Sequence, residues 1–323
     1  MQTLRTKLYQ MFILGTEGGG YIDALKKGLG GIIFFTGDIQ SKEQIKKFTD
    51  KIKTKSLISP FLSVDQEGGR VERTENIHLG KKYLSAKYAY EKGLDFLERQ
   101  TNEISRELLS YGFNLNFAPC IDVNTNPQNP IIGERAFSDE PEGVILAEKI
   151  VSQTYRKNGV IPCVKHFPGH GDASADSHLT LPRIDLSFEE LEKYHIKPFK
   201  AAIENGIEMI MVAHLKIPFF ESDNIPASLS KNAINYLRNK LHFKGVIISD
   251  DMIMKGVADF GAIEACEMGI RAGLNMFIYR NSDKQTVNII ETLAKKAEND
   301  IELKQNIEKS YELIIKLKQE KNI

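Results

Sequence analysis

Cysteine is scarce in this chain. Three occur in 323 residues, Cys120, Cys163 and Cys266, and none belongs to a CxxC pair. A disulfide framework and a zinc ribbon are therefore excluded, and the expectation is of reduced, mostly buried thiols in a cytoplasmic protein. A surplus of one charge is lacking too, since 43 Lys+Arg stand against 43 Asp+Glu. Overall charge thus gives no support to a nucleic-acid or membrane-surface partner. Long hydrophobic runs are missing: MFILG (11–15) is too short for a signal peptide, and no stretch approaches the ~20 apolar residues of a membrane helix. No Pro- or Ser-rich linker, low-complexity tract or charge block divides the chain. Residues 1–323 are therefore expected to form one soluble, intracellular domain.

What the chain does have is regular punctuation. Short apolar runs recur at 10–15, 31–37, 60–66, 114–122, 161–167, 208–214, 245–251 and 275–281, each followed by a polar or glycine-bearing turn. Segments with apolar residues at helical spacing lie between them, for example 41–52, 91–112, 141–159 and 187–206. The last three end on glycine, a common helix C-terminal residue, and Ser187 with Glu190 has the spacing of a capping box. Near-continuous apolar strands alternating with amphipathic helices indicate parallel strands buried on both faces. Eight such units in about 300 residues predict a single α/β barrel of the (β/α)8 type. The Lys- and Glu-rich tail (295–323) reads as a terminal surface helix.

In such a barrel, chemistry gathers at the C-terminal ends of the strands. Strand three ends at Asp65, strand four leads to Pro119 and Asp122, strand five to Lys165 and His166, strand six to His214 and strand seven to Asp250. One aspartate after a strand is usually a turn or cap residue, and Asp251 is read that way. Ionisable residues arriving from five consecutive strands are not explained by capping, for which Ser or Asn would serve. Gly68 and Gly69 would permit close backbone approach to a ligand.

The stretch KHFPGHGDASADSH (165–178) concentrates three histidines and two aspartates. It admits three readings. His166 and His170 stand four apart, as in a zinc-binding helix completed by His178 or His214, although Pro168 and Gly169 would break that helix. Alternatively Asp176 and His178, two apart in an extended segment, project to one side, so that the carboxylate orients the imidazole and raises its pKa for proton transfer. The third reading is an Asx-type turn with a solvated histidine.

Several segments together resemble family 3 of the glycoside hydrolases, in particular its NagZ-type β-N-acetylglucosaminidases. They are DQEGGRVER (65–73), NPIIGERAFSDEP (129–141), the KHFPGHG…DSH loop, MVAHLKIP (211–218), PASLS (226–230) and GVIISDDM (245–252). The resemblance implies a retaining glycosidase without cofactor or metal. Its nucleophile would be Asp250, its general acid/base His178, and the partner of that histidine Asp176. Asp65, Arg73, Arg135, Lys165 and His166 would hold the hydroxyls and acetamido group of a terminal N-acetylglucosamine. A muropeptide, GlcNAc-1,6-anhydroMurNAc with or without peptide, is the substrate it implies, in cytoplasmic peptidoglycan recycling by a monomeric enzyme. No second domain is expected after strand eight, as in the compact members of the family. A phosphorylase on the same site and a metal-dependent barrel hydrolase are the competing readings. The run TEGGGYID (16–23) aligns with no functional motif, His170 is read as structural, and Asp172 is unassigned.

Overall fold

The computed structural model describes residues 2–78, 82–173 and 181–323. Eight parallel strands close into a barrel in sequence order, β1 to β8, with β8 pairing back onto β1. They are β1 (Phe12–Glu17), β2 (Gly31–Phe34), β3 (Phe61–Val64), β4 (Leu115–Asn116), β5 (Ile161–Phe167), β6 (Met209–Val212), β7 (Val246–Asp251) and β8 (Met276–Asn281). Each falls within or across one of the eight apolar runs, because strands buried on both faces carry no polar alternation. Helices surround the barrel, among them Lys42–Lys55, Leu94–Ser110, Pro141–Lys157 and Ala262–Ala272. The capping box at Ser187 and Glu190 is formed in both directions.

Strand four is far shorter than its apolar run. Pro119 has no N–H to give a ladder, and the side chain of Asn116 takes over, accepting from Gln66 N at 2.9 Å and donating to Gln66 O at 2.9 Å. Pairing resumes beyond the proline, where Ile121 N donates to Lys165 O at 2.8 Å.

Three pairings slip by one residue, and each slip adds a residue to one strand. Val164 and Phe167 of β5 face Ile210 and Val212 of β6, and Ile248 and Asp251 of β7 face Met276 and Ile278 of β8. The third lies in β1, between Leu14 and Glu17. In a regular strand neighbouring side chains point to opposite faces. A bulge lets two consecutive residues share one face. At β7 the lost ladder bond is replaced by a side chain, with Ile278 N donating to Ser249 Oγ at 3.2 Å.

The glycine run after β1 closes the seam with β8. Gly20 N donates to Ser282 O at 2.9 Å, and a Cβ on Gly20 would lie 2.2 Å from that oxygen. Its role is backbone packing.

The tail corrects the expectation of a surface helix. Helix Ile301–Glu320 inserts Lys318, 2% exposed, at the N-terminal end of the barrel. Its ammonium donates to Gln10 Oε1 and Gly30 O at 2.9 Å and to Ser59 O at 2.8 Å, with the Phe61 ring centroid 4.7 Å away. Burial pulls this lysine down to about 7, and three acceptors on three ammonium protons hold the charge against it. Replacing Lys318 by Met would remove a donor from all three, leaving Gly30 O with Phe61 N, at 2.9 Å, as its remaining partner. We expect Lys318→Met to lower unfolding free energy by about 3 kcal/mol in urea titration, with little change in specific activity of the folded fraction.

Candidate active site

At the C-terminal end of the barrel lies a cavity of about 430 Å³. Six of the eight residues singled out above line it: Asp65, Arg73, Arg135, Lys165, His166 and Asp250. The other two, Asp176 and His178, lie outside the described residues. The bulge in β5 brings both Lys165 and His166 to the cavity, and that in β7 brings both Asp250 and Asp251.

The floor is an ion cluster. Lys165, 2% exposed, places Nζ 2.7 Å from Asp65 Oδ1 and 2.7 Å from Glu67 Oε1. Arg135 grips the same glutamate with both arms, Nε to Oε2 and Nη2 to Oε1, each at 2.8 Å. Burial alone would raise the Glu67 carboxyl, but Arg135 and Lys165 hold it far below the usual carboxylate range. Burial likewise works against the Lys165 ammonium, and Asp65 and Glu67 hold it above its ordinary value. Sequence reasoning passed over Glu67. Its position two residues after Asp65 in an extended segment was the available signal.

His166 is fixed from behind. Its Nδ1 is 2.6 Å from Asp122 Oδ2, while Asp122 Oδ1 accepts from His170 N at 2.6 Å. Burial would raise Asp122, and His166 and His170 keep it well below its usual value. With Nδ1 so held, Nε2 faces the guanidinium of Arg135 at 3.4 Å. His170, read as structural, contributes its backbone to this network and its ring to the cavity wall. Burial pushes that ring down to about 4, so it is neutral at pH 7.

Asp250 stands on the opposite wall. Burial would raise its carboxyl; His166, His214, the N–H of Asp251 and Lys165 outweigh burial and bring it below its ordinary value. Asp251 N donates to Asp250 Oδ1 at 2.7 Å, and among the described residues Oδ2 receives no hydrogen bond. Asp251 is more than a turn residue. It accepts from Ile253 N at 3.2 Å and from the Arg280 backbone N at 3.3 Å, and it pairs with the Arg280 guanidinium, tying β7 to β8. Arg280, at the end of β8, also lines the cavity and carried no sequence motif.

Two expectations are corrected. The room given by Gly68 is filled by the chain itself, since a Cβ there would meet Leu84 O at 2.3 Å. Of the histidine set weighed for zinc, His214 has both ring nitrogens engaged, Nδ1 with Ser228 Oγ and Nε2 with Asp251 O. Among the described residues the group with metal-like spacing is instead Cys120, Asp122 and His166. Those atoms already bond one another, and burial drives the Cys120 thiol well above its ordinary value, so no thiolate is offered.

The chain resembles known proteins along most of its length. The model of the glycosyl hydrolase family 3 N terminal domain matches residues 3–317. A beta-hexosaminidase of Neisseria meningitidis serogroup B is 34% identical over 265 residues, 80% of this chain and 73% of that protein. Beta-hexosaminidase A of Pseudoalteromonas piscicida is 32% identical over 284 residues, 78% of this chain but 46% of that protein, so the chain spans less than half of this relative. The solved family 3 beta-N-acetylglucosaminidase of Paenibacillus sp. str. FPU-7 superposes with a TM-score of 0.93 at 28% identity, over 100% of this chain and 63% of that one.

Because Glu67 is held ionised by folding, its stabilisation is complete above the unfolded carboxyl value of about 4 and is lost as pH falls below it. We expect Glu67→Gln, which strands Lys165 and Arg135, to cost about 3–5 kcal/mol at pH 7. The difference from wild type should shrink in urea titrations below about pH 4.

Proposed function

The chain belongs to family 3 of the glycoside hydrolases, and on that footing we propose that it is a retaining exo-β-N-acetylglucosaminidase. The observation that carries this reading is Asp250: a carboxylate kept ionised on a cavity wall, one oxygen occupied by Asp251 N–H and the other unbonded among the described residues. Oδ2 attacks the anomeric carbon while His178, oriented by Asp176, gives a proton to the departing oxygen. The glycosyl–Asp250 ester then yields to water deprotonated by the same histidine, and two inversions give retention. A histidine in place of the usual second carboxyl adds no negative charge beside Asp250.

The rest of the cavity supplies recognition. A volume of about 430 Å³ suits one terminal sugar. Asp65 accepts hydroxyl protons, and Lys165 and Arg135 present donors. Arg73 lies with its guanidinium carbon 5.8 Å from the Phe35 ring centroid, and its buried Nε has no hydrogen-bond partner among the described residues. Such a donor calls for a ligand oxygen. We take the substrate to be GlcNAc-1,6-anhydroMurNAc, with or without peptide, turned over in cytoplasmic peptidoglycan recycling by a monomer whose catalytic unit is the barrel of residues 1–323. The buried, unpaired thiols of Cys120, Cys163 and Cys266 accord with a reducing compartment. No helix among the described residues is long and apolar enough to cross a membrane. The unpaired Arg73 donor would equally meet an incoming phosphate, which makes phosphorolysis the second reading.

The test is release of 4-nitrophenol from its β-N-acetylglucosaminide with excess chelator, with and without phosphate, following the anomer by NMR. We expect β-configured N-acetylglucosamine as first product, independent of chelator and phosphate. A sugar 1-phosphate would favour the second reading, and no turnover without zinc would overturn both. Asp250→Asn should reduce kcat/KM at least about a thousandfold. His178→Ala should lose far more on the disaccharide than on the aryl glycoside, whose leaving group needs little protonation.

A further inference from the structure

His214 is wholly buried just beyond β6 and does not reach the cavity. Its Nε2 lies 3.2 Å from the carbonyl oxygen of Asp251 and its Nδ1 lies 2.7 Å from Ser228 Oγ. A carbonyl can only accept, so Nε2 carries the proton. In a neutral ring Nδ1 is then the acceptor, and the Ser228 hydroxyl donates to it. Burial lowers the pKa of His214 and favours that neutral form.

The peptide that His214 grasps is held at its other end as well, because Met252 N donates to Ile278 O at 2.8 Å. The unit joining Asp251 to Met252 is thus pinned between the exit of β6 and strand β8. Asp251 is the residue whose own N–H meets Asp250 Oδ1 at 2.7 Å. That N–H belongs to the preceding peptide unit, so with the Asp251 carbonyl fixed it can turn from the carboxylate only by rotation about the two backbone bonds of Asp251. Packing leaves the ring no alternative seat, since a Cβ on Gly256 would come within 2.8 Å of His214 Cβ. Ser228 is itself fixed, in the 3-10 turn Ala227–Leu229, where Ala227 N donates to Leu215 O at 2.8 Å.

We propose that the Ser228–His214 pair is a positioning device for the nucleophile: through the Asp251 carbonyl it sets the backbone N–H that occupies Asp250 Oδ1 and leaves Oδ2 for the anomeric carbon. His214 is a positioning residue, acting through Asp251 without touching substrate. The proposal rests on Asp250 being the nucleophile. The groups facing Asp250 are Lys165 and His166 from β5, His214 from β6 and Asp251 beside it, with Asp65 beyond Lys165 and Arg280 beyond Asp251. Ser228 carries no charge itself, and of these groups it touches His214 alone.

Ser228→Ala is therefore the informative variant, being smaller and uncharged, and Ser228→Thr restores the hydroxyl. Two readouts separate this device from general stability. Steady-state kinetics should show kcat lowered about tenfold in Ser228→Ala with KM within about twofold, and recovery in Ser228→Thr. Carboxyl-13C NMR, with Asp250 assigned by its loss in Asp250→Asn, should show its titration midpoint raised by about half a unit in Ser228→Ala, as an N–H bond to the charged form weakens. A midpoint and kcat both indistinguishable from wild type would overturn the proposal, as would a loss confined to KM. If wild type proved inert on N-acetylglucosaminides, the function proposed above would fall, and the midpoint shift would still decide the positioning device.

Discussion

One ammonium group organises the active end of this barrel. Lys165 enters from β5 and is shared at 2.7 Å by two carboxylates of the β3 exit, Asp65 and Glu67. An isolated charge so deeply buried would be expelled or neutralised. Here the glutamate satisfies it and passes the constraint to Arg135 through a second, bidentate contact. Loop 129–141, strand β5 and the β3 exit are thereby held in one register. Lys165 and Arg135 together balance Asp65 and Glu67, and Arg135 is held within reach of His166. For the sugar proposed as substrate, donors and acceptors are already in place, so binding would need little reorganisation.

A second layer of fixed groups stands behind these. Asp122 and His214 reach the same rim as the residues that line the cavity, yet both face away from it. Asp122 sets the tautomer of His166, and His214 takes hold of the backbone next to Asp250. The barrel thus spends its strand exits in two ways, some to meet ligand and some to orient the groups that do.

The chain revealed its architecture readily, because buried parallel strands leave a pattern that hardly depends on neighbours. All eight apolar runs correspond to strands, and of the residues picked by the rim rule Asp65, Lys165, His166 and Asp250 line one cavity, while Arg73 and Arg135, which also line it, were implied by the family resemblance alone. What stayed hidden was pairwise. Glu67 reads as one acidic residue in a polar loop until Arg135 and Lys165, distant in the chain, are seen around it. The bulges at 164–167 and 248–251 leave no mark in composition, since they are mismatches between two strands. Lys318 misled for the same reason: a lysine in a charged helix belongs on the surface unless three oxygens wait for it, and those come from Gln10, Gly30 and Ser59.

That lysine also bears on how the protein is made. The three oxygens precede β1, β2 and β3, strands that leave the ribosome first, whereas residue 318 follows nearly 260 residues after the last of them. Until it arrives, acceptors such as Ser59 O lack their ammonium partner, and water there must be cleared before the N-terminal end of the barrel can dry out and close. A chain growing from its N-terminus can therefore assemble the rim that bears the cavity before it seals the opposite end. Sealing of the N-terminal end is tied to a residue translated long after the strands it closes.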